Sequence, residues 1–381
     1  MFDVAVVGKG LFGAATARHL ARFDLRTVVV GPDEPGGDPD FRGPHGAHHD
    51  EARILVARGD AAEVELTQLA IDGMARLEQA VGSPLIVRSG ALEVTARGTG
   101  AGSLVDGAVY VPAGSTTVDE PPPQGYFNPR RYLAAALQDA VGNGAETLGE
   151  TVTSIEPSTA GYMLAAGSAG TIEAAQVVIA CGAWSNRLLA RRLALRLKTE
   201  SVLLARLDEG VAAAVQMRPS VFHGPTGRVE SIYTLPPLLY PDGNWYLKLG
   251  ANTMFDSEVD ERAIDDWYLA GDDDSARADL VDAFSIVFPE IEVLGFHSER
   301  CVITYTPHGR PFIDGLERPG MFVAAGGNGH GASWADGVGA LAAALVAARE
   351  WDGLARNAFQ VEYADKSPRW PGPLLLNDRL A

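Results

Sequence analysis

The N-terminal thirty residues constrain the fold more than any other part of the chain. A short apolar run, 2–7, is followed at once by the hexapeptide GKGLFG at positions 8–13. An alanine-rich segment, 14–22, and a second apolar run, 26–30, come next. A strand, a G-x-G-x-x-G turn, a helix and a second strand are typical of a dinucleotide-binding βαβ unit. The sequence therefore predicts a dinucleotide site here.

Each glycine of this turn has a physical role. Gly8 permits the tight turn, Gly10 lets a pyrophosphate approach the backbone, and Gly13 lets the helix pack close to the strand. The helix N-terminus offers free N–H groups and a partial positive charge to phosphates. Leu11 and Phe12 lie in the same turn, and we expect them to contact the cofactor as well.

One expected feature of the unit is missing. An Asp or Glu usually ends the second strand and binds the ribose hydroxyls, but that position is Gly31. Either Asp33 or Glu34 replaces it, or no carboxylate binds the ribose. The motif alone does not distinguish NAD from FAD.

Length and charge exclude several classes of function. At 381 residues the chain should contain about two domains. A net charge of −18 disfavours nucleic acid or an anionic membrane as a partner, because the long-range field repels phosphates. Two cysteines, Cys181 and Cys301, are too few for a disulfide framework or a cysteine zinc site. The chain shows no bilayer-spanning apolar run and no signal segment, so we expect a soluble cytoplasmic protein. We also expect no metal site.

The middle of the chain alternates between helical and strand patterns. Apolar residues at helical spacing predict a helix over 63–81, and Asn128 with Pro129 suits the N-cap and first residue of another. Strand patterns cover 195–207 and 231–254, with a hairpin turn at Asp242-Gly243. The acidic segment 256–282 is interpreted as a solvated helical face.

A second glycine-rich turn repeats the first arrangement near the C-terminus. The apolar run 320–325 leads into GGNGHG at positions 326–331, and a helix is predicted over 337–349. This turn could bring a second set of backbone N–H groups to the same cofactor. The order of elements predicts an α/β nucleotide-binding domain that is interrupted by a β-rich domain.

Several separate segments together resemble the flavin-dependent amine oxidases of the D-amino acid oxidase superfamily, in particular the monomeric sarcosine oxidase and N-methyltryptophan oxidase branch. They are positions 8–13, 46–54, 180–185, 248–250, 301–314 and 326–331, and Asn128-Pro129 with Tyr132. The resemblance implies FAD as the cofactor. It implies a Rossmann-type, glutathione-reductase-like FAD domain over 1–84, 126–194 and 301–381, and an α+β substrate domain over 85–125 and 195–300.

The resemblance also implies roles for individual residues. Cys301 corresponds to the covalent attachment of the flavin through sulfur; on its own it would be a buried thiol. His49 corresponds to a histidine beside the flavin, and Arg53 to an arginine that binds the substrate carboxylate in a bidentate fork. Lys248 corresponds to a lysine that activates oxygen electrostatically, and Tyr233 to a tyrosine that contacts substrate. Further cofactor contacts are expected at His48, Val152, Gly182, Trp184, Gly327, Gly329, His330 and Gly331.

The chain departs from the branch at two positions. A second carboxylate-binding group, a lysine in the branch, is Ser333 here, and a histidine after the oxygen-activating lysine is Asn252. The expected pocket has lost a cation and an imidazole, which disfavours sarcosine and favours a bulkier or less anionic amine. Arg310 is a candidate to replace the lost cation.

The sequence therefore predicts a monomeric FAD-dependent oxidase. It would oxidise a secondary amine or amino acid, N-methyl or cyclic, by hydride transfer to flavin N5, with oxygen as acceptor and hydrogen peroxide as product. Two alternatives remain open. One is an FAD-dependent dehydrogenase of a hydroxy acid or amine with another acceptor. The other is a flavin-binding protein without turnover.

Overall fold

A computed structural model describes residues 1–35, 45–95, 102–106, 108–226, 228–351 and 353–380. Its helices are α1 (Leu11–Leu20), α2 (Ala61–Val81), α3 (Pro129–Gly142), α4 (Glu209–Ala214), α5 (Ile264–Leu269), α6 (Asp274–Val287), α7 (Gly331–Val346) and α8 (Leu376–Leu380).

The strands are, in chain order, β1 (Phe2–Val7), β2 (Thr27–Val30), β3 (Arg53–Leu55), β4 (Ile86–Val87), β5 (Ala91–Thr95), β6 (Gly102–Val105), β7 (Val109–Pro112), β8 (Thr116–Glu120), β9 (Gly125–Phe127), β10 (Glu146–Leu148), β11 (Val152–Ser158), β12 (Gly161–Ala166), β13 (Gly170–Ile179), β14 (Arg196–Leu207), β15 (Ser220–His223), β16 (Pro225–Thr226), β17 (Val229–Leu239), β18 (Trp245–Asn252), β19 (Glu258–Val259), β20 (Gly295–Tyr305), β21 (Phe312–Gly315) and β22 (Met321–Ala325).

The first large sheet contains the predicted βαβ unit. Its strand order is β10-β2-β1-β13-β12-β11, with β22 paired to β13 and β21 to β22. Strand β1 runs parallel to both β2 and β13, and β13 runs parallel to β22. One face of the sheet's central strands packs with α1 and α7, and the other packs with residues of β11 and β12. These strands are therefore continuous apolar runs, and all four residues of β2 are buried. The predicted α/β fold class is confirmed.

The second large sheet has one apolar and one polar face. Its order is β19-β14-β18-β17-β15-β5-β8, with β20 paired to β14 and β16 to β17. Leu203, Leu247 and Leu249 lie on the face that packs against Phe284 of α6. Side chains alternate along a strand, so the neighbouring positions of β14, β18 and β20 point to the opposite face, where the site lies.

Two sequence predictions differ from the structure. Helix α7 begins at Gly331, six residues earlier than predicted, because the helix follows the glycine turn directly, as α1 does. The acidic segment is helical only from residue 264, and Asp256 and Glu261 are buried in ion pairs with Lys198 and Arg192. The interpretation as a solvated helical face is therefore wrong for its first part.

The domain bounds stay a prediction. Every strand of the first sheet falls within the segments assigned to the FAD domain. Strand β20 of the second sheet crosses the predicted bound at residue 301. None of the helices in the described part of the chain has the length and apolar composition that a bilayer crossing requires.

A buried ionic network joins three helices of the nucleotide-binding region. Arg18 of α1 donates to Asp336 of α7, and its Nε donates to Asp139 of α3 at 2.9 Å. The Tyr132 hydroxyl donates to the same Asp336 carboxylate at 2.8 Å. Burial raises the pKa of Asp336, but the ring of His19 and the charge of Arg18 outweigh it and hold the pKa at about 2.

The network predicts an acid-sensitive contribution to stability. The pKa of Asp336 is lower in the folded protein than its ordinary value of 3.8, so the contribution is complete above that value and is lost as the pH falls towards 2. We expect Asp336→Asn to lower the free energy of unfolding by about 3–5 kcal/mol at neutral pH, because Arg18 keeps a buried charge with one partner fewer. Urea unfolding at neutral and acidic pH measures both effects.

The control for this prediction is Asp3→Asn. Asp3 pairs with Arg26 at the surface at 3.1 Å, with side chains 37% and 68% exposed. Water screens an exposed pair, so this variant should unfold nearly like the wild type. Equal losses of unfolding free energy in Asp336→Asn and Asp3→Asn would contradict the stabilising role that we assign to the buried network.

Candidate active site

The first glycine turn forms an open cradle at the end of β1. Gly8 has φ of +110°, and a Cβ there would overlap the Ala180 carbonyl oxygen. A Cβ on Gly13 would overlap the Gly8 carbonyl oxygen. Gly10 is the N-cap of α1, and the nearest atom to a Cβ built there is His48 Nδ1 at 3.8 Å. Backbone donors at the start of α1 can therefore meet a pyrophosphate, which fits the predicted cofactor.

The structure explains why no acid ends β2. A Cβ on Gly31 would lie 2.7 Å from the Lys9 backbone nitrogen, so a side chain does not fit. Asp33 instead forms an ion pair with Lys9 of the glycine turn. The Glu34 carboxylate accepts hydrogen bonds from His48 Nε2 at 2.5 Å and from Arg130 Nε at 3.1 Å. The role of Asp33 at the ribose stays a prediction.

The second glycine turn lies against the first. A Cβ on Gly331 would lie 3.6 Å from the Phe12 ring. Within the turn, Gly329 has φ of +81° and a Cβ on Gly327 would lie 3.1 Å from Gly331 Cα. His330 packs on Trp334 with ring centroids 5.2 Å apart, and burial lowers its pKa to about 4, so it is neutral at physiological pH.

Asn328 fastens this turn to the strand that carries Cys301. Its backbone N–H donates to the Thr304 carbonyl at 2.8 Å, and its Oδ1 accepts from the Thr306 N–H at 2.9 Å. Both partners lie at the C-terminal end of β20 or just beyond it. The second glycine turn and Cys301 therefore have a fixed relation to each other.

The polar face of the second sheet carries three of the predicted site residues. Cys301 is the Cα partner of Glu200 on β14, and Lys248 is the partner of Leu204 on the same strand. Tyr233 is the partner of Gly250, two residues after Lys248. A Cβ on Gly250 would overlap the Tyr233 ring, so the glycine lets the ring pack against β18.

A buried carboxylate lies at the centre of this group. Asp50 accepts hydrogen bonds from Lys248 Nζ and Arg53 Nη1, and from the Tyr240 hydroxyl at 2.9 Å. Lys248 Nζ lies 5.2 Å from the centroid of the Tyr233 ring. Burial lowers the pKa of Lys248, and the charge of Arg53 lowers it further, whereas Asp50 opposes both effects.

Cys301 and Arg53 share a partner. The Ala47 carbonyl accepts from Arg53 Nη2 at 2.7 Å, and Cys301 Sγ lies 3.9 Å from the same oxygen. Burial raises the pKa of the Cys301 thiol, and the guanidinium of Arg53 opposes that rise. The sequence-predicted Lys248, Arg53, Tyr233 and Cys301 therefore meet in one cluster.

A row of rings borders this cluster. His49 lies 4.5 Å from His45, and His45 lies 4.7 Å from Tyr268, centroid to centroid. Trp184 stacks on Tyr268 at 6.0 Å and donates its ring N–H to Asp265 at 2.9 Å. Gly182, with φ of +54°, begins the 3₁₀ turn 182–188 that carries Trp184. Val152 is buried at the start of β11 in the first sheet.

The two departures from the branch have structural partners. The Ser333 hydroxyl donates to the Ile54 carbonyl at 2.9 Å and so joins α7 to β3. Asn252 Oδ1 accepts from Lys198 Nζ at 2.8 Å. Arg310 donates to Asp60 at 2.6 Å and to the Ala358 carbonyl at 3.0 Å, and its role as a replacement for the lost cation stays a prediction.

Sequence reasoning missed Asp50 and Tyr240. Asp50 lies in the polar segment HHDEAR, where an acid is typical of a solvated loop. Its spacing of three residues from Arg53 was the one available signal. Nothing in the sequence indicates the contact with Tyr240, which lies 190 residues away along the chain.

A match to a family model shows that the chain is an FAD-dependent oxidoreductase. Residues 122–345, more than half of the chain, match the family model described as DAO, FAD dependent oxidoreductase, and the chain belongs to this family. No curated protein sequence matches the chain.

Three solved structures illustrate the fold. NikD, described as an unusual amino acid oxidase essential for nikkomycin biosynthesis, has 18% identity and a TM-score of 0.73, with 95% of this chain and 98% of NikD covered. Glycine oxidase from Geobacillus kaustophilus has 22% identity and a TM-score of 0.69, with 95% of this chain and 98% of the oxidase covered. The fructosyl amine oxidoreductase Amadoriase I from Aspergillus fumigatus has 16% identity and a TM-score of 0.72, with 94% and 89% covered.

Proposed function

We propose that this protein is an FAD-dependent oxidase of a secondary amine or amino acid, N-methyl or cyclic, with oxygen as the electron acceptor and an imine and hydrogen peroxide as products. One observation carries the proposal. Lys248, Tyr233, Arg53 and Cys301 meet on one face of the second sheet, and β20 joins that face to the second glycine turn.

FAD, when bound, would supply the redox chemistry by accepting a hydride equivalent at N5. The protein supplies position and charge. Lys248 is nearly inaccessible to solvent and would stabilise the negative charge that develops on oxygen as it is reduced. Tyr233 lies over Gly250 and would form a wall of the substrate pocket. His49 and Trp184 would border the flavin. The names of the similar structures, oxidases of amino acids and a fructosyl amine, support an amine substrate.

The remaining assignments stay part of the proposal. The first sheet would form the FAD domain, over 1–84, 126–194 and 301–381, and the second sheet the core of the substrate domain, over 85–125 and 195–300. A monomeric state and a cytoplasmic location stay predictions.

The experiment that tests the function is an anaerobic screen of amines. Each candidate is mixed with the yellow holoprotein, and loss of the flavin absorbance reports reduction. A substrate should bleach the flavin, and admission of oxygen should restore the colour with one hydrogen peroxide per turnover. Recovery of colour only with a dye acceptor would favour the dehydrogenase alternative. A broad panel of amines that never bleaches the flavin would favour the protein without turnover.

Covalent attachment at Cys301 predicts flavin that stays with the chain. After acid precipitation of the wild type, the flavin should remain in the pellet, whereas Cys301→Ala should release it to the supernatant. Cys181→Ala is the matched control, because Cys181 is also shielded but its Sγ donates to the Val7 carbonyl at 3.2 Å, away from the cluster. Complete release from the wild type would refute the linkage and leave the oxidase proposal intact.

The role of Lys248 predicts a split between the two half-reactions. Lys248→Met should slow reoxidation of the flavin by oxygen by about 100-fold or more, because a preorganised charge is lost, and should slow reduction by amine far less. Stopped-flow absorbance measures the two steps separately. The control is Lys366→Met, an exposed lysine, which should match the wild type in both steps. Equal slowing of both steps in Lys248→Met would remove the assigned role.

A further inference from the structure

Arg53, the predicted carboxylate-binding residue, is already occupied by groups of the protein itself. Its Nη1 donates to Asp50 and to the Ala52 carbonyl at 2.9 Å, and its Nη2 donates to the Ala47 carbonyl at 2.7 Å. The side chain of Asp50 is only 3% exposed. An internal carboxylate therefore sits where the resemblance places the carboxylate of a substrate.

Asp50 is held from both sides. Its Oδ2 accepts from Arg53 and Lys248, and its Oδ1 accepts from the Tyr240 hydroxyl at 2.9 Å and the Glu51 N–H at 2.7 Å. The charges of Lys248 and Arg53 hold the pKa of this carboxyl well below its usual range despite burial, so Asp50 is ionised at neutral pH. A ligand cannot displace it without uncovering buried charges.

Each cation of this cluster already has a carboxyl partner. Lys198 Nζ lies 2.7 Å from Asp256 and 3.3 Å from Glu200 on the same face of the sheet. With Asp50 between Arg53 and Lys248, three cations face three carboxyl groups there. Ser333 contributes no charge and bonds to the Ile54 carbonyl. In the described part of this cluster, an incoming carboxylate meets no cation that lacks a carboxyl partner.

We propose that Asp50 determines the substrate class by occupying Arg53 and Lys248, so that the pocket accepts amines that carry no carboxylate beside the reacting C–N bond. This inference rests on the proposed oxidase function and narrows it. A carboxylate on the substrate would lie next to the Asp50 carboxylate, and like charges close together in a buried site repel strongly. An uncharged group at that place would meet no such repulsion.

Binding of a matched pair of ligands tests the inference without turnover. Phenylacetate and phenylacetamide have nearly the same shape and differ in charge. Each is titrated into the holoprotein by calorimetry and by the change in flavin absorbance. Asp50→Asn should bind phenylacetate at least about tenfold more tightly than the wild type does, because Arg53 is released, and phenylacetamide about equally.

Two further variants isolate the cause. Asp106→Asn removes another arginine-paired carboxylate, which Arg218 contacts at 2.8 and 3.0 Å, and asparagine tolerates the positive φ of 51° there. It should bind both ligands as the wild type does. In Asp50→Asn/Arg53→Gln the gain for phenylacetate should be smaller than in Asp50→Asn, since one of the two cations that Asp50 occupies is gone. No gain in Asp50→Asn, or a gain that the loss of Arg53 leaves undiminished, would overturn the proposal.

The wild type provides a second measurement that does not depend on a folded variant. N-methylbenzylamine and N-methylphenylglycine share the reacting C–N bond and differ by one carboxylate. The amine should bleach the flavin anaerobically at a concentration at least about tenfold lower. Equal or reversed preference would overturn the role of Asp50 and leave the oxidase proposal intact. If neither compound nor any other amine bleached the flavin, the oxidase proposal would fail, while the ligand titration would still decide the role of Asp50.

Discussion

The close approach of α1 to β1 and α7 is the constraint on which the site depends. Gly13 brings α1 against the Gly8 carbonyl, and a Cβ on Gly339 of α7 would overlap Ala15 of α1. Both contacts exclude a side chain, so the two helices can begin side by side only with glycine at these positions. Phe12 and Gly331, more than 300 residues apart in sequence, meet as a result. Two helix N-termini can then serve one anionic cofactor.

The second sheet holds ionised groups in a buried place, and their positions depend on its packing. Its apolar face packs on α6, which fixes the strands and the register between β14, β18 and β20. That register alone sets Cys301, Lys248 and Tyr233 on the other face. A shift of one residue along β18 would exchange Lys248 for a leucine and bury the charge in the core. The apolar packing therefore indirectly positions the polar cluster.

The sequence predictions that the structure confirms depend on local patterns. The GKGLFG turn, the Asn128-Pro129 helix start and the Asp242-Gly243 hairpin each depend on residues close in sequence, and the structure confirms them. The family match confirms FAD as the cofactor, whereas the glycine turn alone did not distinguish FAD from NAD. The roles of Asp50 and Gly31 could not be predicted from the sequence. Asp50 accepts hydrogen bonds from Tyr240 and Lys248, which are distant in sequence, and Gly31 leaves room for the Lys9 backbone. Such contacts arise only from the folded chain.

The Asp50 carboxylate also accounts for the close approach of two cations in a buried place. Arg53 and Lys248 approach each other in a buried place, and the charge of Arg53 contributes to the lowered pKa of Lys248. Without a carboxylate between them, the lysine would tend to lose its proton and with it the charge that an oxygen-activating role needs. In a site built for amino acids, the substrate carboxylate can provide that compensation each time it binds. Under the role proposed for Asp50, this carboxylate would provide the compensation permanently, and Lys248 would stay charged even with a substrate that carries no anion.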